Sequence, residues 1–315
     1  MTRTPMDATP TDAELVFKKT MTFEYARPMG MLPGIVRIVA DNPGPFTFKG
    51  TNTYLVGSTE LAVIDPGPDD PRHVDAILEA AGGRPITHVF VTHTHRDHVD
   101  GLPRLKAATG ARSCGHGRAH LDLPSVLTSP SGREFIDPDF CPDIQLGHGD
   151  CIEGADWTLE AIHTPGHAPD HLCFELRSRG VIFSGDHVMA WSTTVVAPPE
   201  GNMHDYMASL EVLLARPVDL YLPGHGGRLE CAQRSVRAYL VHRRWREQAI
   251  LGAIRSGVSS ISGVVGLIYR NVDPKLAMAA RLSVQAHVEH LAARGHVTFE
   301  APLGFDSVVT ATAAV

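Results

Sequence analysis

No stretch of the sequence approaches the roughly 18 consecutive apolar residues of a membrane span, so a helical membrane protein is not expected. The opening residues, MTRTPMDATPTDAELVFKK, are polar and charged and lack the apolar core of a secretory signal, which points to the cytoplasm. Cysteine is scarce. The five residues, Cys114, Cys141, Cys151, Cys173 and Cys231, are odd in number and include no C-x-x-C pair. Free thiols in a reducing compartment fit them better than a disulfide framework. Aromatic residues make up only 6% of the chain, too few to suggest a base-stacking track. Internal repeats and low-complexity tracts are lacking too.

The remaining composition is that of a globular protein with a substantial core, 43% hydrophobic and 20% charged, and 315 residues suit about two domains. A net charge of −7 hides an asymmetry. Residues 228–296 carry 11 Lys/Arg against 4 Asp/Glu, a formal +7, and the rest is −14. A basic segment on an acidic body suits either a polyanion contact or a basic face docked on an acidic one.

One segment is dense in ligand-type side chains. VTHTHRDHVDG holds His93, His95, Asp97 and His98 within six positions. Zinc takes His nitrogen and Asp oxygen at about 2.0–2.2 Å, and a catalytic site keeps a position open for water. His93 and His95 alternate by two and point the same way on extended chain. Asp97 and His98 lie past a turn and can face a second ion. Neither ion is satisfied by this segment alone, so other ligands must come from afar. His167, Asp186 and His225 stand at the ends of other predicted strands, and His163 competes with His167.

The surrounding pattern is layered α/β. TNTYLVG and ELAVIDPG read as paired strands, ITHVFVTH as a buried strand, and PDDPRHVDAILEAAG as a helix capped at Asp69 or Asp70 and closed by Gly82. WTLEAIHTPGH, GVIFSGDH and VDLYLPGHG read as further strands ending in His or Asp beside a turn. Residues 229–257 read as one long helix. A short helix follows, then a helix from Asp273 to Gly295, then a hairpin, which is the order of a winged helix. The expected division is a flexible N-terminus over 1–20, a catalytic domain over 21–230 and a winged-helix-like domain over 231–315.

These residues resemble the metallo-beta-lactamase superfamily. H-x-H-x-D-H is met by His93, His95, Asp97 and His98, T-P-G-H by residues 164–167, the G-D turn by Asp186 and the last histidine by PGHG at His225. The resemblance implies an αββα sandwich with a two-metal site on its edge. It places His93, His95 and His167 on one metal, Asp97, His98 and His225 on the other, and Asp186 between them. It also decides for His167 over His163.

FKGTNTYLVG, TPGHAPDH, STTVV, YMASL and HRRWREQAIL further resemble the beta-lactamase-like protein two branch, whose members are metal-dependent endoribonucleases on single-stranded RNA. Two divalent ions, zinc by default from the donor set, would share a hydroxide formed near neutral pH, with Asp97 and Asp186 as the catalytic carboxylates. His163, His171 and Asp65 are candidates to orient ligand imidazoles. Trp191 and Tyr206 are candidates to line a pocket, and Arg96 to attract an anion. Ser184, His116, His120 and His148 read as turn or surface residues, and His187 as facing away from the site.

Three functions follow. A single-strand ribonuclease would use the basic tail with Arg243, Arg244 and Arg246. A small-molecule thioester, lactone or ester hydrolase would use the same metals. A winged-helix DNA-binding regulator with structural metals would need a basic recognition helix, and Lys275, Arg281 and Arg294 make a thin one. A homodimer is left open.

Overall fold

A computed structural model describes residues 15–118, 134–269 and 276–312. Two β-sheets lie face to face. The first contains β1 (Met29–Leu32), β2 (Ile35–Val39), β3 (Asn52–Val56), β4 (Leu61–Ile64), β5 (Ile86–Phe90), β6 (Arg112–Gly115) and β7 (Ile144–Gln145), in that spatial order. It is an antiparallel meander as far as β4 and parallel from β4 to β7. The second contains β8 (Cys151–Glu153), β9 (Thr158–His163), β10 (Leu172–Leu176), β11 (Val181–Gly185), β12 (Leu220–Pro223) and β13 (Leu229–Glu230), and there only β11 and β12 run parallel.

Side chains alternate across each strand and divide between two cores. Tyr54, Val56, Ala62, Ile64 and Phe90 face Leu159, Ala161, Phe174, Val181 and Phe183 between the sheets. The alternate residues Leu55, Leu61, Val63 and Val89 turn outward to meet helices α1 (Pro71–Ala81) and α3 (Leu102–Thr109); the short α2 spans Arg96–Val99. Helix α1 forms as its sequence predicts. Asp70 accepts a bond from Arg72 N at 3.0 Å, Pro71 opens the first turn, and Gly82 closes it in the left-handed region at φ 58°.

The outer face of the second sheet is covered by α4 (Met203–Leu214) and the first half of α5 (Ala232–Arg255). Tyr206, Leu210, Val236, Tyr239 and Leu240 pack there on Ile162, Ile182 and Tyr221. The result is an αββα sandwich. Beyond it, α6 (Ile261–Ile268), α7 (Ala277–Ala293) and the hairpin β14 (Val297–Phe299) with β15 (Val309–Ala311) share a smaller core with Ile250, Ala253 and Ile254 of α5. Helix α5 therefore runs through both units, and a cut at residue 230 falls just before it. The predicted start of that helix differs as well. Leu229 and Glu230 pair with Tyr221 and Leu220 as a strand edge, which delays the helix to Ala232.

Residues 15–20, placed by sequence in a flexible N-terminus, are seated: Lys18 N donates to Ala190 O at 2.8 Å, and Leu15 and Phe17 pack on the outer core. No helix among the described residues is long and apolar enough to cross a membrane. His120, and the expected cap Asp273 with Pro274 and Lys275, lie outside the described residues.

Candidate metal centre

Strand direction brings the distant residues together. β4 and β5 are parallel, so Asp65 and His93 emerge at the same edge of the first sheet. In the second sheet β11 and β12 are parallel, and β9 shares their direction because β10 is antiparallel to both of its neighbours. The C-terminal ends of β9, β11 and β12 thus deliver His167, Asp186 and His225 to one edge. Ladder hydrogen bonds hold these ends in register, which is why short turns suffice to aim the side chains.

The seven expected residues meet. His93 Nε2 lies 2.9 Å from His95 Nδ1, which is 3.1 Å from His167 Nε2. His98 Nε2 and His225 Nε2 are 3.3 Å apart, and Asp97 Oδ2 is 3.4 Å from the first and 3.3 Å from the second. Asp186 reaches both groups, with Oδ1 3.6 Å from His98 Nε2 and Oδ2 3.3 Å from His225 Nε2 and 3.7 Å from His167 Nε2. Three sets of donor atoms lie within 4.8 Å of one another: His93, His95 and His167; His93, His98 and Asp186; Asp97, His98 and His225.

The donor chemistry fits cations. Each imidazole engages its second nitrogen outward and turns the other inward. His98 Nδ1 donates to Asp65 Oδ2 at 2.8 Å, His167 Nδ1 to Val195 O at 2.7 Å and His225 Nδ1 to Gly50 O at 3.2 Å. His95 Nε2 donates to Glu200 Oε2 at 3.1 Å, and His93 Nδ1 sits 3.0 Å from Thr92 Oγ1. Such outer bonds fix the tautomer and aim the ring. Asp186 Oδ1, moreover, is buried without a hydrogen-bond partner, an orphaned acceptor that a cation would satisfy. Burial pushes the pKa of His98 and His225 down. The charges of Asp97 and Asp186 outweigh it, lifting His98 to about 9 and His225 well above its ordinary value. The field at the site favours positive charge.

Close packing protects this arrangement. A Cβ on Gly166, at φ 130°, would meet backbone atoms of Tyr206 at 2.3 Å, so the TPGH turn requires glycine. A Cβ on Gly224 would lie 2.7 Å from both Asp186 Oδ1 and His98 Cε1.

Other expectations divide. Asp65 does orient a ligand-type imidazole, that of His98. His171 instead accepts the Asp186 backbone N–H at 3.1 Å. His163 is turned away, bonded to Pro169 O and stacked on His116 at 4.3 Å. Arg96 is paired with Asp100 at 3.0 Å, and His148 is exposed. Ser184, expected in a turn, lies near the end of β11, where its Oγ donates to Val188 O, and His187 is buried against the Tyr206 ring. Tyr206 is itself core, with its hydroxyl on His187 O. Trp191 stacks on Phe48 at 4.9 Å.

Sequence patterns missed a buried network behind His95. Arg118, fully buried, donates to Asp170 Oδ1 at 2.8 Å, to Glu200 Oε1 and to Thr94 Oγ1, while Thr94 also donates to Asp170 Oδ2 at 2.9 Å. Burial raises the Glu200 carboxyl, but His95 and Arg118 hold it down at about 2. Thr51 was missed too; its hydroxyl donates to Asp97 Oδ2 at 2.8 Å.

Comparison with known proteins agrees with this geometry. The metallo-beta-lactamase superfamily model matches residues 46–225, a span containing all seven residues. The chain belongs to the metallo-beta-lactamase superfamily. A model of the beta-lactamase associated winged helix domain matches residues 260–302. Lactamase-like protein adaB of Aspergillus niger is 32% identical over 235 residues, covering 74% of this chain and 67% of that protein. An atrochrysone carboxyl ACP thioesterase of Aspergillus chevalieri is 33% identical over 234 residues, covering 73% and 69%. The crystal structure of a beta-lactamase domain protein from Burkholderia ambifaria shares the fold, with a TM-score of 0.79 at 20% identity over 96% of this chain and 99% of the other. This superfamily member is a hydrolase.

Proposed function

We propose that this metallo-beta-lactamase superfamily member is a binuclear zinc hydrolase of small acyl compounds, thioesters foremost. The observation that carries it is the meeting of five imidazoles and two carboxylates, from four strand ends, in donor sets within 4.8 Å. Nitrogen and carboxylate donors suit zinc. When bound, two such ions supply a water ionised near neutral pH and positive charge for a carbonyl oxygen. His93, His95 and His167 would hold one ion, and Asp97, His98 and His225 the other. Asp186 stands between the sets, its Oδ2 3.7 Å from His167 Nε2 and 3.3 Å from His225 Nε2 and its Oδ1 3.6 Å from His98 Nε2. The outer partners Asp65, Gly50, Val195 and Glu200 keep the inner nitrogens turned inward. All five cysteines are free, which accords with a reducing cytoplasm.

The thioester preference rests on relatives named as acyl carrier protein thioesterases. The basic tail lends the ribonuclease expectation little support. Arg243 is buried on Thr194 O, Arg246 lies 4.4 Å from the Tyr269 ring centre and 5.1 Å from that of Trp245, and Arg244 is paired with Glu211 at 2.9 Å. None is arranged along a phosphate track. The regulator reading is thinner still: Arg281 lies over Phe305 and Arg294 is bonded to Glu247.

The test is a panel of acyl thioesters, lactones and single-stranded RNA on metal-analysed protein, with Asp97→Ala as the blank. Thioester turnover is expected to need metal and to vanish in the blank. RNA cleavage that disappears with Asp97→Ala, alongside inert thioesters, would reverse the preference.

A further inference from the structure

The segment HRRWRE, residues 242–247, takes no part in the metal centre. It lies on α5 where that helix packs against α4 and α7. His242 and Arg246 are four apart and Arg243 and Arg246 three apart, so their side chains neighbour one another on the helix surface. From α7 come His287 and His290, again three apart.

Several polar atoms of these groups lack partners. Arg243 bonds Thr194 O and lies 5.1 Å over the Tyr206 ring, yet its Nε is buried and unpartnered. Arg246 makes no hydrogen bond or ion pair among the described residues; its guanidinium sits 4.4 Å from the Tyr269 ring centre and 5.1 Å from that of Trp245. Its Nε is sealed as well, although the residue as a whole is half-buried. His242 Nδ1, His290 Nδ1 and both nitrogens of the wholly buried His287 also lack partners. The nearby carboxylate, Glu247, accepts from Arg294 at 2.7 Å through Oε1; its Oε2 lies 3.3 Å from His290 Nε2 but is buried without a hydrogen bond. Burial, and after it the charges of Arg243 and Arg246, hold the His287 pKa well below its ordinary value.

An unpartnered buried polar group is destabilising, and a charged one more so. Six such nitrogens gather at this one interhelical junction, and at least three of them, the two guanidinium Nε and one nitrogen of neutral His287, are N–H donors that need an acceptor. A metal is no remedy, because two guanidinium groups repel it and these histidines form no donor set. An oxyanion supplies both missing items, negative charge and several acceptor lone pairs, and guanidinium forks match its geometry.

We propose that His242, Arg243, Arg246 and His287 form an oxyanion site that takes a phosphate or a carboxylate. It adjoins the metal centre through one loop. Arg243 holds Thr194 O, Thr194 Oγ1 donates to Asp186 O at 2.8 Å, and Val195 O accepts from His167. If the thioester reading holds, on which this step alone rests, the phosphate of a phosphopantetheine-borne acyl group is one source; inorganic phosphate is the other.

Calorimetric titration of inorganic phosphate into the full metal-loaded chain, at constant ionic strength with chloride as the control anion, tests the site. Saturable binding is expected, weakened at least tenfold in Arg246→Gln and partly kept in Arg246→Lys, with cooperative melting checked for each variant. Absence of phosphate binding, or equal binding in parent and both variants as at a metal alone, overturns the site. Acyl-phosphopantetheine and acyl-pantetheine thioesters then separate the sources. A lower KM for the phosphorylated carrier that is lost in Arg246→Gln identifies substrate phosphate, whereas equal KM values identify the free anion. Arg246-dependent phosphate binding by a chain inert to both thioesters would sink the thioester reading and leave the site standing.

Discussion

Replacing Arg118 by Met tests the network behind His95. The guanidinium is fully buried and bonded to Asp170, Glu200 and Thr94. The Met side chain keeps most of the apolar stem and removes the charge, so two buried carboxylates lose their shared cation. Removing one partner of a buried ion pair costs about 3–5 kcal/mol, because the other charge stays buried. At roughly 2–4 °C per kcal/mol for a unit of this size, Tm should fall by roughly 6–20 °C. Glu200 also loses its anchor, and His95 its oriented acceptor. Loss of such an outer partner typically weakens metal affinity 10–100-fold, or about 1.4–2.7 kcal/mol. Scanning calorimetry on apo protein measures the first effect, and competition with a chromophoric chelator the second. Glu200→Gln, which keeps an oxygen acceptor for His95, should lower affinity less. An Arg118→Met variant that melts within about 2 °C of the parent and binds metal equally well would refute the reasoning.

Other expectations are independent of that network. Asp186→Ala should remove the carboxylate that reaches both donor groups, so metal analysis should show fewer than two ions per chain and hydrolysis should fall at least 100-fold; full occupancy would refute its place between them. Gly224→Ala changes no ligand, yet its methyl would press on Asp186 and His98 at 2.7 Å; metal content should drop while the apo fold melts cooperatively. Burial, only partly offset by Asp70, lowers the His73 pKa from 6.5 to about 4. The fold therefore favours neutral His73, and its contribution is complete above about pH 6.5 and is lost as pH falls towards 4. The shift corresponds to roughly 3 kcal/mol, so apo stability measured by denaturant from pH 7 to 4 should decline less in His73→Gln.

Much of the centre was legible because it is written locally. Four of its seven residues occupy one hexapeptide, and the others follow strands whose apolar runs and Pro-Gly turns are visible without partners. Glu200, Arg118 and Asp170 carry no such signal. They are 82 and 52 residues apart in sequence, and a lone acid or arginine in a loop reads as solvated until the fold buries it. The choice between His163 and His167 was likewise decided by family pattern, and the turn at Gly166 supplies the physical reason by swinging His167 inward.

The arginines of α5 show the division most clearly. Composition placed positive charge on that segment, and helical spacing set which of its residues are neighbours; both follow from covalent order and a 3.6-residue period. Whether Arg243 extends into solvent or holds the Thr194 carbonyl, and whether Arg246 lies free or over the Tyr269 ring, depends on which elements pack across from them. Local pattern thus determined the elements and most of the candidate metal donors. Only the assembled layers decided which charges are buried, since burial is a property of neighbours brought from elsewhere in the chain.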